Sequence, residues 1–352
     1  MTMTNDPTPS QDRYSRQVLF EPIGEAGQAQ LAKGRVLLVG CGALGTVLAS
    51  TLARAGVGHL RICDRDYIEL NNLQRQVLFD EDDIEQNVPK AVAAANKLAR
   101  VNSSIRVEPI VTDVNFKNIA NLADGCDVIL DGTDNFETRY LINDYCVESG
   151  RPWVYGAVIG ATGLVMPIIP GETPCLRCVF ENAPPPEMSP TCDTAGVIGP
   201  AVNIVASMQS VETFKLLMGK RDDVVRKLMS IDVWSGRVVQ LSVAKPEGAC
   251  ICCGKRQFEY LEGKVVSLTT TLCGRNAVQI QPQSNRKVST DLAALARKMA
   301  MVSRDEVKQS EYLVRAMVEG YELTVFKDGR TIIKGTKNAD EARSIHAKYI
   351  GS

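Results

Sequence analysis

Short apolar runs alternate with longer helical stretches from Gly34 to about Asn135. Residues 35–39, 60–63, 106–111 and 128–130 have the β-branched or apolar character and the length of buried strands. Between them, residues 44–55 and the alanine-rich stretch 90–100 read as helices, the second with no Gly or Pro inside and with Pro89 just ahead of its first turn. Strand, helix, strand in this rhythm predicts an α/β fold, a Rossmann-like, mainly parallel sheet with crossover helices. Two apolar runs within 153–169, split by Gly160, Thr162 and Gly163, predict adjacent strands. Three prolines at 184–186 make 178–193 a loop, and 201–218 is a helix closed by Gly219.

The pattern changes near Val265. Residues 321–326 and 331–334 flank Asp328-Gly329 as a β-hairpin, and 290–301 and 338–349 have helical spacing. The chain therefore divides into an α/β domain over 12–264 and a small α+β domain over 265–352. The second part holds 14 Lys and Arg against 9 Asp and Glu, a basic balance that suits either a solvated face or docking of an acidic partner.

Overall composition is that of an ordinary soluble protein: 45% apolar, 23% charged, formal net charge -1, which gives no reason to expect nucleic-acid binding. Residues 1–10 are polar with no apolar stretch, so a cytoplasmic location is expected. The uncharged runs 152–171 and 195–211 are broken by Gly and Pro or by polar residues, and no membrane span is expected. Eleven cysteines, an odd number, point to metal binding or catalysis rather than a disulfide framework.

Gly40-Cys41-Gly42-Ala43-Leu44-Gly45 follows a predicted strand and opens a predicted helix, the context in which Gly40, Gly42 and Gly45 form a phosphate-binding turn. Asp64, 19 residues beyond Gly45 at the end of the next strand, is placed to accept hydrogen bonds from ribose hydroxyls. Asp66, Asn71, Asn72, Gln74, Arg75 and Gln76 then form a dense polar patch beyond that strand, joined by Lys90 and by Asp134 and Asn135 in the turn after 128–130. Cations with a carboxylate at strand ends suit a triphosphate and its magnesium ion. A nicotinamide oxidoreductase shares the glycine signature but needs a proton relay, and only His59 and His346 are available. A carrier-binding scaffold without catalysis is the other alternative.

Cys175-x-x-Cys178 and Cys250-x-x-Cys253, separated by 71 residues, supply two knuckles for tetrahedral thiolate coordination of a structural Zn2+, with Cys252 spare. Cys192, in a loop after the prolines, is either an accessible nucleophile or an incidental thiol, whereas Cys41, Cys63, Cys126 and Cys146 sit in apolar surroundings and read as core.

With Arg13-Tyr14-Ser15-Arg16-Gln17, the glycine turn, Leu73-Gln74-Arg75-Gln76, Pro89-Lys90, Thr133-Asp134-Asn135 and the paired cysteines, the chain resembles the ThiF/MoeB family, bacterial relatives of ubiquitin-activating enzymes. The resemblance implies a homodimer that uses ATP to adenylate the terminal Gly-Gly carboxylate of a ubiquitin-like sulfur-carrier protein, with release of pyrophosphate. It implies that Asp64 holds the ribose, Arg75 and Lys90 the phosphates and Asp134 the Mg2+. It further implies that Arg16 reaches the partner subunit's phosphates and that Cys192 takes up the activated acyl group. The C-terminal extension is more ThiF-like than MoeB-like, which implies thiamine-thiazole synthesis over molybdopterin or tRNA thiolation. One departure is local: Gln86-Asn87-Val88 precedes Pro89-Lys90 where the family usually has Gly, so a differently shaped loop is expected there.

Overall fold

The structure, a computed structural model, describes residues 13–183, 195–244, 248–265, 269–272, 276–280 and 290–350. Eight strands, β1 (Arg35–Val39), β2 (His59–Asp64), β3 (Arg106–Val111), β4 (Val128–Asp131), β5 (Trp153–Ile159), β6 (Thr162–Ile168), β7 (Leu228–Asp232) and β8 (Arg237–Leu241), form one sheet in the order β3-β2-β1-β4-β5-β6-β7-β8. Strands β1 to β5 pair in parallel, and β5 to β8 continue antiparallel. The central strands are apolar throughout because both faces are covered. Val36 and Leu38 pack under the helices Ala43–Ala55, Lys90–Val101 and Gly199–Leu217, while Leu37, Val39 and Ile129 meet Phe136–Ser149 on the other face.

The strand order reverses direction between β1 and β4, so the chain leaves these two strands toward opposite faces. This opens a crevice at their carboxyl ends, the usual ligand position in an open α/β sheet.

The predicted strands and crossover helices lie within a residue or two of the observed ones. The helix Gly199–Leu217 starts earlier than expected, with a proline in its first turn, and Gly219 beyond it adopts φ +74°. Cys178 is a correction: it lies in the helical turn Leu176–Val179, not in a loop, because the first CxxC folds on itself ahead of the prolines. The rest of the expected loop, 184–194, is outside the described residues, and Cys192 with it. Strand β8 escaped the sequence reading because it has no buried face to impose an alternation, with Val238 and Leu241 exposed.

A second, antiparallel sheet has the order β11-β12-β13-β14-β10-β9, from β9 (Thr269–Leu272), β10 (Ala277–Ile280), β11 (Lys308–Gln309), β12 (Leu313–Val318), β13 (Tyr321–Phe326) and β14 (Thr331–Lys334). The helices Leu292–Ala300 and Ala339–Tyr349 cover one face around Val314, Val325 and Ile333. Alternate residues, Leu313, Phe326 and Ile332, face the other way and close on Tyr67 of the first sheet's loops. Among the described residues no helix is long and apolar enough to cross a membrane.

Candidate nucleotide and metal sites

At the end of β1 the chain turns sharply into the helix Ala43–Ala55, and three glycines make the turn for different reasons. Gly40 has φ +89°, and a Cβ there would lie 2.6 Å from the Gly132 carbonyl oxygen. A Cβ on Gly45 would lie 2.1 Å from the Gly40 carbonyl oxygen. Backbone packing thus requires both. Gly42 is different: its φ is -90°, and a Cβ would meet only Gln76 Nε2, 3.9 Å away. Nothing within the chain demands glycine there, so the cradle above it suits close approach of a ligand phosphate to the helix N-terminus. Gln76 lines the same space, and its Oε1 is buried without a hydrogen-bond partner, the kind of orphan a bound ligand satisfies.

Asp64 closes β2 beside this turn. Its Oδ2 accepts the Cys41 N–H (2.6 Å) and its Oδ1 the Asp66 N–H (2.7 Å), so the carboxylate fixes the glycine turn and the next loop together. Burial pushes its carboxyl above the ordinary value, opposed by the nearby Lys90 ammonium. Lys90 opens the helix Lys90–Val101 and is only 2% exposed. Its N–H donates to the Asp66 carbonyl (2.9 Å) and its Nζ lies 3.7 Å from Asp66 Oδ2. A lysine so deeply buried requires anionic company. In the Gln86-Asn87-Val88 loop ahead of Pro89, Asn87 adopts φ +50°, a left-handed conformation in which asparagine is enriched.

Across the crevice, β4 ends at Asp131, which is fully buried; sequence reasoning placed it in the polar turn but gave it no role of its own. Its Oδ2 accepts from Arg139 Nε (2.9 Å) and its Oδ1 from the Thr133 N–H (3.0 Å). Arg139 Nη2 also donates to the Thr133 and Gly156 carbonyls, and Gln209 Nε2 to the Asp131 carbonyl. Burial raises the Asp131 carboxyl against the pull of Arg139. With Asp131 committed to this network, Asp134 is the exposed carboxylate of the turn. Asn135 caps the helix Phe136–Ser149, accepting from the Glu137 and Thr138 N–H groups, and Asn72, also buried, caps the turn Leu70–Asn72. Both expected ligand residues therefore carry structural bonds. Arg75, half-buried, donates to the Asn71 carbonyl (2.8 Å).

Arg16 is not brought to this turn. Its short helix Ser15–Val18 is anchored at the other end of Ala43–Ala55, with Gln17 donating to the Ala55 carbonyl and Tyr14 against Gly56. Thirteen residues of helix place it on the order of 20 Å from the glycine turn. His59 pairs with Glu108 at 3.0 Å at the start of β2, and His346 lies on the terminal helix, so neither offers a relay at the crevice.

Cys175, Cys178, Cys250 and Cys253 bring their sulfurs within 4.8 Å of one another. Separations of 3.6 Å (175–250), 3.8 Å (175–178) and 3.4 Å (178–253) are too long for disulfides. They approximate the edge, about 3.8 Å, of a tetrahedron with metal–sulfur bonds of about 2.3 Å. Cys252 is not one of the four converging sulfurs; it is buried beside Cys175 and accepts from Asn143 Nδ2 (3.2 Å). Cys41, Cys63, Cys126 and Cys146 are buried core, and burial pushes the Cys63 thiol up to about 12.

Known proteins match this architecture. The sulfur carrier protein ThiS adenylyltransferase of Bacillus subtilis is 42% identical over 96% of this chain and 99% of its own length. The SAMP-activating enzyme E1 of Haloferax volcanii is 36% identical over 76% of this chain and all of its own. The crystal structure of E. coli MccB with AMPCPP and MccA shares the fold, with a TM-score of 0.61 at 23% identity over 71% of this chain and 76% of that one. The ThiF family profile matches residues 14–252, and this chain belongs to the ThiF family.

Proposed function

We propose that this protein uses ATP to adenylate the C-terminal Gly-Gly carboxylate of a ubiquitin-like sulfur-carrier protein, releasing pyrophosphate, and that it serves thiamine-thiazole synthesis in the cytoplasm as a homodimer. The observation that carries the reading is the open cradle over Gly42, flanked by the buried Lys90 and the unpartnered Gln76 oxygen. The full-length likeness to a ThiS adenylyltransferase supports the choice of carrier. In this reading residues 12–264 form the adenylating unit and 265–352 a separate α+β unit.

The carrier carboxylate is already a competent nucleophile toward the α-phosphorus; what obstructs attack is its repulsion from the triphosphate. The helix N-terminus at Gly42 and the cations Lys90 and Arg75 screen that repulsion and take up charge on the departing pyrophosphate. Asp64 holds the ribose while anchoring the turn. Asp134, exposed where Asp131 is committed to Arg139, would hold the Mg2+, which supplies charge neutralisation when bound. Arg16 completes the partner subunit's site, and the Cys192 thiol, losing its proton, attacks the acyl-adenylate carbonyl to form a thioester with release of AMP. The four cysteines would hold a structural Zn2+, which would supply a cross-link between the two knuckles.

The test is ATP–pyrophosphate exchange against a panel of Gly-Gly-ended carriers. Exchange with the thiazole-pathway carrier is expected, and Lys90→Ala or Arg75→Ala should lower it at least about a hundredfold in a folded protein. Undiminished rates in those variants would mean that the pocket is misassigned.

A further inference from the structure

The second sheet grips the loop that holds Lys90, and Tyr67 is the side chain at the centre of that grip. Tyr67 lies three residues beyond Asp64, and its backbone forms a β-bridge with Pro89, immediately before Lys90. Its ring is 8% exposed, packed against Ala277, Leu313, Phe326 and Ile332. The Arg315 guanidinium lies 3.9 Å from the ring centroid, and Arg315 Nε and Nη2 are buried with no hydrogen-bond partner, so the aromatic face is a main source of stabilisation for that cation. The Tyr67 hydroxyl donates to Glu322 Oε1 (3.3 Å). Burial raises the phenol well above its ordinary value, so it stays a donor. On either side, Lys334 Nζ reaches Glu69 Oε1 (2.9 Å) and Gln279 Nε2 donates to Asp113 Oδ2 (3.2 Å).

We propose that Tyr67 is a positioning residue through which the C-terminal sheet sets the Asp66–Lys90 geometry of the nucleotide site. The coupling is mechanical. Tyr67 and Asp66 are adjacent, Asp66 receives both the Lys90 N–H and the approach of its ammonium, and the Tyr67–Pro89 bridge ties the same two strands of chain together. A large ring locked in a pocket of the second sheet leaves that loop little freedom, and a misplacement of about 1 Å at a charge-neutralising group costs up to a hundredfold in rate. The basic C-terminal part would then act on ATP, with docking of the carrier not its main role. This inference rests on the adenylation reading for its kinetics but not for its mechanics.

The experiment uses the full chain with Tyr67→Leu, Tyr67→Phe and Arg315→Met. Two quantities are read: kcat/KM for ATP beside KM for the carrier, and amide hydrogen exchange at Tyr67 and Lys90 without nucleotide. In Tyr67→Leu, kcat/KM for ATP should fall at least about tenfold with carrier KM within about twofold, and the Lys90 amide should exchange faster. Tyr67→Phe, which keeps the ring, should rescue most of the loss; Arg315→Met, altered only on the second sheet, should show the same direction more weakly. Unchanged ATP parameters and unchanged exchange in folded Tyr67→Leu and Arg315→Met would overturn the proposal. So would a change confined to carrier KM, which would make the sheet a docking surface. If the wild type exchanges no pyrophosphate with any carrier, the adenylation reading fails, and faster or unchanged exchange at Lys90 still decides for or against the positioning role.

Discussion

At the scale of single residues, the glycine turn separates two requirements that a motif runs together. Gly45 is dictated by the Gly40 carbonyl 2.1 Å from its would-be Cβ, whereas Gly42 has only a 3.9 Å neighbour. Gly45→Ala should therefore destabilise the fold by at least about 1–3 kcal/mol, the range for forcing atoms into a packed site. Gly42→Ala should change stability by only about 0.5 kcal/mol yet weaken ATP binding at least about tenfold, because its methyl fills the phosphate cradle. Urea unfolding beside calorimetric titration with Mg-ATP distinguishes them; a Gly42→Ala protein that binds ATP normally would remove the cradle from the account. The glycines were legible in the sequence because a short apolar strand precedes them and a helix follows. The network of Asp131 with Arg139 and Gln209 was not. Nothing in a linear string shows that Arg139, eight residues beyond Asp131 in the first turn of a helix, turns inward to meet a carboxylate at a strand end, or that Gln209 comes from a helix 78 residues away to cap its carbonyl. Asn72 and Asn135 illustrate the converse: their residue type suggested ligands, but asparagine is also a preferred cap, and both bond backbone N–H groups here.

At the scale of elements, the helix Phe136–Ser149 links the nucleotide turn to the cysteine cluster. Asn135 caps its first turn beside Asp134, and two turns on Asn143 accepts the Leu176 N–H (2.8 Å) while donating to Cys252. The cysteine knuckles pack under this helix with Phe258 and Tyr260, so a metal there closes one flank of the large sheet's core. About one equivalent of Zn2+ is expected in freshly purified protein, and less than about half would count against a resident metal. Stripping it, or Cys253→Ser, should lower the unfolding midpoint by roughly 5–15 °C, corresponding to about 2–5 kcal/mol for a domain of this size. Cys252→Ala should leave metal content unchanged. The pairing of the knuckles was readable from spacing alone, because two CxxC turns each aim two sulfurs at one point. The strands of the antiparallel half were read unevenly for a physical reason: β5 and β6 are apolar and sandwiched, whereas β8 lies at the sheet edge with no buried face to write a period into its sequence.

At the scale of the whole molecule, the position of Arg16 bears on assembly. Its helix is pinned at the far end of Ala43–Ala55 by Tyr14, whose hydroxyl accepts from Asn102 Nδ2 (2.7 Å), and by Arg13 donating to the Val101 carbonyl (2.8 Å). An arginine side chain extends about 7 Å, short of the roughly 20 Å that one thirteen-residue helix spans. If Arg16 serves catalysis, it must therefore serve a second copy of the chain. That requirement gives a complementation test. Arg16→Ala and Lys90→Ala homodimers should each be nearly inactive, since every site lacks one cation. In a heterodimer the subunit that keeps Lys90 receives Arg16 from its Lys90→Ala partner, so one of its two sites is complete. Co-expressing the two variants in equal amounts makes about half the dimers mixed, and carrier-dependent exchange should return to roughly a quarter of the wild-type rate. Activity no greater than the average of the two parents, in a preparation where tagged pull-down confirms mixed dimers, would place Arg16 outside the shared site and leave each crevice to work with the cations of its own chain.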